Sequence, residues 1–209
     1  MKIVSDGLFL SSERIRAAGW VIETNDEMVQ LRGSMGTTGA SSIQSAFRSE
    51  LSGILFALLH LQQLCLYGNI SGSNITIFCD GLSAIQAIKK SSLHDNNTQK
   101  HFDVINAINT VRSNLPIKVA LAHVTGHQDQ GTAYHRLDKL AQLNVIADQL
   151  ATSKASQLIN QDKPFKTSSL PYSHCDIFIH LENSRKIKIS TNLISSLRNI
   201  ITQDTLRQY

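Results

Sequence analysis

The stretch from Asn74 to Lys90, N-I-T-I-F-C-D-G-L-S-A-I-Q-A-I-K-K, constrains the fold more than any other part of the chain. Ile75, Ile77, Phe78 and Cys79 form a short apolar, β-rich run of the kind that makes a buried strand. Asp80 ends the run, Gly81 follows, and Leu82, Ala84, Ile85 and Ile88 then recur at helical spacing. The pattern is strand, tight turn, helix, with a carboxylate at the carboxyl end of the strand. In open α/β sheets ligands bind at that end. The plainer reading of Asp80 is a helix cap, which Asp before a helix commonly supplies. Three further carboxylates bear on the choice.

The remaining segments supply the rest of a sheet. Lys2 to Leu10 reads as a strand carrying Asp6. Arg16 to Thr24 and Glu27 to Ser34 read as two more, joined by the turn signal Asn25-Asp26, so an antiparallel meander is expected. Ile43 to Leu66 has helical spacing, with Phe47, Leu51, Ile54, Leu55, Leu58 and Leu61 in one stripe. Glu50 lies on the edge of that stripe, where a charge is costly unless paired. Helices are also expected over His101 to Asn114 and Arg136 to Leu158, and a strand over Ile117 to Val124. The element order implies a mixed sheet with helices on its faces.

The domain organisation follows from a change of character near residue 160. Residues 1–160 read as one α/β domain, 161–175 as a polar linker, and 176–209 as a small hairpin and helix. Residues 1–160 carry 13 Lys and Arg against 12 Asp and Glu; 161–209 carry 7 against 4. The modest positive balance therefore sits mainly in the tail, and it permits nucleic-acid binding without demonstrating it. No run approaches the ~20 apolar residues of a membrane span, no secretory signal is visible, and no membrane partner is expected. Three cysteines without metal-type spacing suit a reducing, intracellular setting, and Cys65 and Cys79 read as small core residues.

Asp6, Glu50 and Asp80 come from separate elements, and the last helix offers Asp138 or Asp148 as a fourth. At ~100° per residue Asp148 shares the stripe of Asn144, Ala151 and Ala155, whereas Asp138 points away. Oxygen-only donors select hard cations, Mg²⁺ or Mn²⁺. Several carboxylates around two such ions suit in-line attack on a phosphodiester.

These residues resemble the ribonuclease H family, and more closely the ribonuclease H domains of retrotransposon and retroviral reverse transcriptases. The resemblance rests on V-S-D-G (Asp6), A-G-W-V-I-E, R-S-E-L-x-x-I-L-x-A-L (Glu50), I-F-C-D-G-L-S-A-I (Asp80), V-T-G-H (His127) and N-V-I-A-D-Q-L-A (Asn144, Asp148). It covers roughly residues 1–157. It implies an α/β fold with a mixed five-stranded sheet in the order 3-2-1-4-5 and helices on both faces, to which the pattern of 176–209 adds a small C-terminal α+β appendage. It implies Asp6, Glu50, Asp80 and Asp148 as the ligands of two Mg²⁺ ions, Mn²⁺ being a substitute, with His127 as the mobile-loop histidine that helps product leave. Ser45 takes the family's hydroxyl position for a DNA phosphate, and Asn144 the asparagine position four residues before the last aspartate; both are expected nucleic-acid contacts. The implied activity is cleavage of the RNA strand of RNA–DNA hybrids by a monomeric domain. In a reverse transcriptase the polymerase would lie outside this chain.

The sequence departs from the family in three places. The segment from Gln128 to Leu143 holds an insertion. Ala46, Phe47 and Arg48 stand where many members have groove-reading asparagines. No basic protrusion is evident beyond Lys89, Lys90 and Lys100. Two other readings remain: a non-catalytic nucleic-acid-binding module of the same fold, which an intact carboxylate set disfavours, and a two-metal strand transferase, which Glu50 disfavours. Trp20 reads as packing, and His123 as a strand-end histidine rather than a ligand.

Overall fold

A computed structural model describes residues 1–13, 15–37, 45–91, 100–160, 176–181 and 186–189. Three antiparallel strands open the chain: β1 (Lys2–Leu10), β2 (Ile15–Glu23) and β3 (Val29–Gly36). Helix α1 (Ala46–Gly68) follows, then β4 (Asn74–Cys79), α2 (Leu82–Lys90), α3 (Phe102–Asn114), β5 (Lys118–His123) and α4 (Lys139–Ile159). Strands β6 (Asp176–Leu181) and β7 (Lys186–Ile189) form the expected hairpin. The proposed linker and the C-terminal helix expected over 191–207 lie outside the described residues.

The first five strands take the order 3-2-1-4-5, with β4 and β5 added parallel to β1, as expected. The hairpin extends the same sheet, β6 pairing antiparallel with β3 from Val29↔Leu181 to Ser34↔Asp176. Strand periodicity decides which side chains meet which helices, because successive residues face opposite sides. Ile3, Trp20, Ile22 and Ile77 enter the large core under α1 and α3. Val4 and Val21 face the other way, against Leu143 and Ala147 of α4. A sheet covered on both faces reads as near-continuous apolar strands, and β2 is buried from Ala17 through Glu23.

Trp20 has the packing role expected of it. Its indole lies over Gly33, where an added Cβ would fall 2.3 Å from the ring, and it stacks on His60 with ring centroids 5.1 Å apart. Helix α1 corrects one expectation. By length and composition it is apolar enough to cross a membrane, yet it is the central core helix here, mostly buried against the sheet and α3. The last helix also starts later than its pattern predicts. Tyr134–Arg136 form a 3-10 turn instead, and the side chain of Asp138 caps α4 by accepting from the Ala141 N–H at 2.8 Å.

Among the described residues, the hydrophobic clusters on the two faces of the sheet are built by the elements from β1 to α4. A chain ending at Asn160 should therefore unfold cooperatively on heating, with a circular dichroism spectrum that keeps its helical signal. A shortened chain that is unfolded at room temperature would make the C-terminal hairpin part of the folding unit.

Candidate active site

The carboxyl ends of β4 and β5 lie level with the middle of β1. In the parallel pairing of β1 and β4, Ser5 lies opposite Cys79. Continuing that register places Asp6 beside Asp80, whose charge adds to burial in raising the Asp6 carboxyl. Asp6 is 4% exposed. The cap reading of Asp80 does not hold: the N-cap of α2 is Gly81, and no side chain caps that helix. Asp80 Oδ1 is instead buried without a hydrogen-bond partner.

Two close approaches bring the other groups in. A Cβ on Gly7 would sit 2.3 Å from the Glu50 amide nitrogen, so α1 can press its backbone onto β1 only at a glycine. That contact carries Glu50 to the cluster, where its Oε2 accepts from the Cys79 thiol at 3.3 Å. A Cβ on Gly126 would likewise lie 2.4 Å from Asp80 Oδ2. The turn that presents His127 therefore packs directly on the aspartate. His127 is exposed and left-handed (φ 52°), and caps the 3-10 turn Gln128–Gln130.

The electrostatics bind the four carboxylates into one group. Burial is the largest influence on each, and the charges of Asp80 and Asp148 add to it at Asp6, which is pushed up to about 8. Burial and the charges of Asp6 and Asp80 also push Glu50 well above the usual carboxylate range. Asp80 and Asp148 are raised by burial too, and the His127 ring pulls both back down. Asp129, from the 3-10 turn, opposes that at Asp148. A histidine thus sits among carboxylates that repel one another.

The structure therefore brings Asp6, Glu50, Asp80, Asp148 and His127 together and leaves Asp138 apart as a helix cap. Of the two expected nucleic-acid contacts, Ser45 has a structural use and Asn144 is buried. Ser45 caps α1, its Oγ accepting from the Arg48 N–H at 3.2 Å and meeting His101 Nε2 at 3.2 Å. Asn144 is 3% exposed on the sheet-facing side of α4, and its Oδ1 has no hydrogen-bond partner. Arg48 is 2% exposed and turned inward, where Nη1 and Nη2 donate to both Asp103 carboxylate oxygens at 2.8 and 2.6 Å. Phe47 packs on the His101 ring beside it.

Sequence reasoning missed two neighbours of the cluster. Cys79, expected only to fill the core, is hydrogen-bonded to Glu50; its place in the alternation with Ile75 and Ile77 on the α1 side was the available signal. His123 is exposed at the end of β5, and its charge helps hold Asp80 down.

The donor set fits hard divalent cations. It is rich in carboxylate oxygens, one of them buried and unpartnered, and mutual repulsion would be relieved by positive charge. Among the described residues, Glu50, Cys79 and Asp80 place ligand atoms within 4.8 Å of one another, an arrangement compatible with a divalent metal ion.

No protein-family model matches the chain, and no curated protein is significantly similar to it. The similarities are to solved structures. LC11 ribonuclease H1 in complex with an RNA/DNA hybrid superposes with a TM-score of 0.55 at 11% identity, covering 76% of this chain and 99% of that one. LC11 ribonuclease H1 isolated from compost by a metagenomic approach gives 0.52 at 12% identity, covering 76% and 97%. Prototype foamy virus protease-reverse transcriptase gives 0.45 at 18% identity, covering 74% and 20%, too loose a match to bear on a retroelement origin. At these identities the likeness is one of fold: the chain has the ribonuclease H-like fold.

Without metal, this cluster should make stability depend on pH. Asp6 has a raised pKa in the folded state, so its favourable contribution is complete below the ordinary carboxylate range and is lost as the pH rises through about 8. In chelator, the midpoint of thermal unfolding should fall between about pH 5 and pH 8, and Asp6→Asn and Asp80→Asn should each flatten the decline. Added Mg²⁺ should restore the wild type more than either variant. A wild-type midpoint that climbs across this window would contradict the description of the cluster.

Proposed function

We propose that the chain is a divalent-metal-dependent nuclease that cuts the RNA strand of RNA–DNA hybrids, and that it is the ribonuclease H part of a retroelement reverse transcriptase. The observation that carries the nuclease reading is the meeting of Asp6, Glu50 and Asp80, fixed by the β1–β4 register and the close approach of α1 at Gly7 and Gly81, with the charge of Asp148 adding to burial at Asp6. The fold of a hybrid-bound ribonuclease H1 and the motif resemblance support the substrate class. The retroelement assignment and a separate polymerase partner rest on the motif resemblance alone.

In this reading the four carboxylates hold the ions. Bound there, two divalent cations would supply charge stabilisation to an in-line displacement at phosphorus. The chain's own residues do the rest. Gly7 and Gly126 let backbone approach the cluster closely enough to fix Glu50 and Asp80 in place. Preorganised charge of this kind needs no rearrangement as the reaction proceeds. His127, exposed and beside Asp80 and Asp148, is placed to exchange protons or to loosen the product. Recognition of a hybrid would rest on 2′-hydroxyl and phosphate contacts rather than base edges, and phosphate contacts make binding salt-sensitive. Arg48 takes no part in reading the groove, because it is committed to Asp103.

The test is a panel of labelled RNA–DNA, RNA–RNA and DNA–DNA duplexes incubated with Mg²⁺ or Mn²⁺, using wild type, Asp148→Asn and Asp138→Asn in parallel. Only the hybrid should be cut, with a 5′-phosphate on the released RNA. Asp148→Asn should lower the Mg²⁺-supported rate by about a hundredfold, the scale of losing one preorganised electrostatic group. Asp138→Asn should stay within about twofold, since Asn caps a helix as well as Asp does. Cleavage without divalent metal, or a dead Asp138 variant beside an active Asp148 variant, would overturn the assignment.

A further inference from the structure

The corner where Glu50 meets the end of β4 holds a sulfur that a hard-metal nuclease centre does not need. We propose that Glu50, Cys79 and Asp80 form a binding site for a thiophilic divalent cation, Zn²⁺ or Cd²⁺, with the Cys79 sulfur as a ligand. Cys79 is 1% exposed, and alternation along β4 puts it on the same side as Ile75 and Ile77, under α1. A core cysteine would need nothing more. This one donates to Glu50 Oε2 at 3.3 Å and accepts from the Gly81 N–H at 3.3 Å. The ligand atoms of all three side chains lie within 4.8 Å of one another. Independently, Asp80 Oδ1 is buried and has no hydrogen-bond partner.

The donor chemistry separates two kinds of cation. Mg²⁺ takes oxygen donors and leaves a thiol alone, whereas Zn²⁺ and Cd²⁺ are bound strongly by thiolate combined with carboxylate. On binding, the Cys79 S–H bond breaks, its proton leaves to solvent, and the thiolate coordinates the ion; nothing is oxidised or reduced. Glu50 Oε2 exchanges the thiol hydrogen bond for the ion. The Gly81 N–H remains a donor to the sulfur, the kind of outer contact that steadies a metal thiolate. Zn²⁺ or Cd²⁺ would then compete with Mg²⁺ for Glu50 and Asp80.

The site overlaps the proposed nuclease centre, but its test needs no nuclease activity, so either reading can fail without the other. The full-length chain is titrated with Cd²⁺ while the ultraviolet sulfur-to-cadmium charge-transfer band is followed. Wild type should develop the band with saturation at one ion per chain, Cys79→Ser should lose it, and Cys175→Ser should keep it. Asp80→Asn should require about tenfold more Cd²⁺, the scale expected for loss of one supporting group. A wild type without the band, a Cys79→Ser protein that retains it, or a Cys175→Ser protein that loses it would overturn the proposal. Should Cys79→Ser fail to fold by circular dichroism, Cys79→Ala replaces it. Should that also fail, the Asp80→Asn shift decides, an unchanged Cd²⁺ requirement counting against the site.

Discussion

Repulsion among carboxylates held close together at the end of the central strands is the constraint on which the rest of the structure depends. A buried carboxylate near others of like charge is unstable in its ionised form. Four elements on both faces of the sheet supply the groups: β1 gives Asp6, α1 Glu50, the end of β4 Asp80, and α4 Asp148. Such a cluster persists only because the packing around it leaves those groups nowhere else to go. Trp20, Ile3 and Leu58 anchor the α1 side, and Val4, Val21 and Leu143 the α4 side. Gly7 and Gly126 remove the side chains that would hold the elements apart. Local strain of this kind is expected at functional sites and is borne by the surrounding core.

The framework was largely legible from periodicity. Alternation along β1 and β2, the switch from period two to helical spacing after Asp80, and the stripe of α1 each gave the right element in the right order. That Asp6, Glu50 and Asp80 form one set is implied by the family resemblance and not by periodicity. What was not legible depends on contacts distant in sequence. Nothing near Arg48 signals that it will be buried against Asp103, because its partner arrives with α3. Asp138 reads as a residue inside a helix that begins at Arg136; the 3-10 turn Tyr134–Arg136 delays α4 to Lys139 and makes Asp138 its cap. Cys79 reads as a core residue because the pattern of β4 gives it an apolar environment. Its hydrogen bond to Glu50 exists only once α1 is docked.

Arg48 and Phe47 also shape the substrate face. The start of α1 is tied to α3 through Ser45, His101 and Asp103, so this edge is built for rigidity rather than for reaching into a groove. Lys89 and Lys90 lie exposed in the last turn of α2, where the helix dipole favours them.

The most direct test of the central claim is crystallographic: crystals soaked in Mn²⁺, with anomalous scattering recorded for manganese. The account predicts anomalous density among the carboxylates of Asp6, Glu50, Asp80 and Asp148. Crystals saturated with Mn²⁺ that bind the ion elsewhere, or whose four carboxylates stay metal-free, would contradict it.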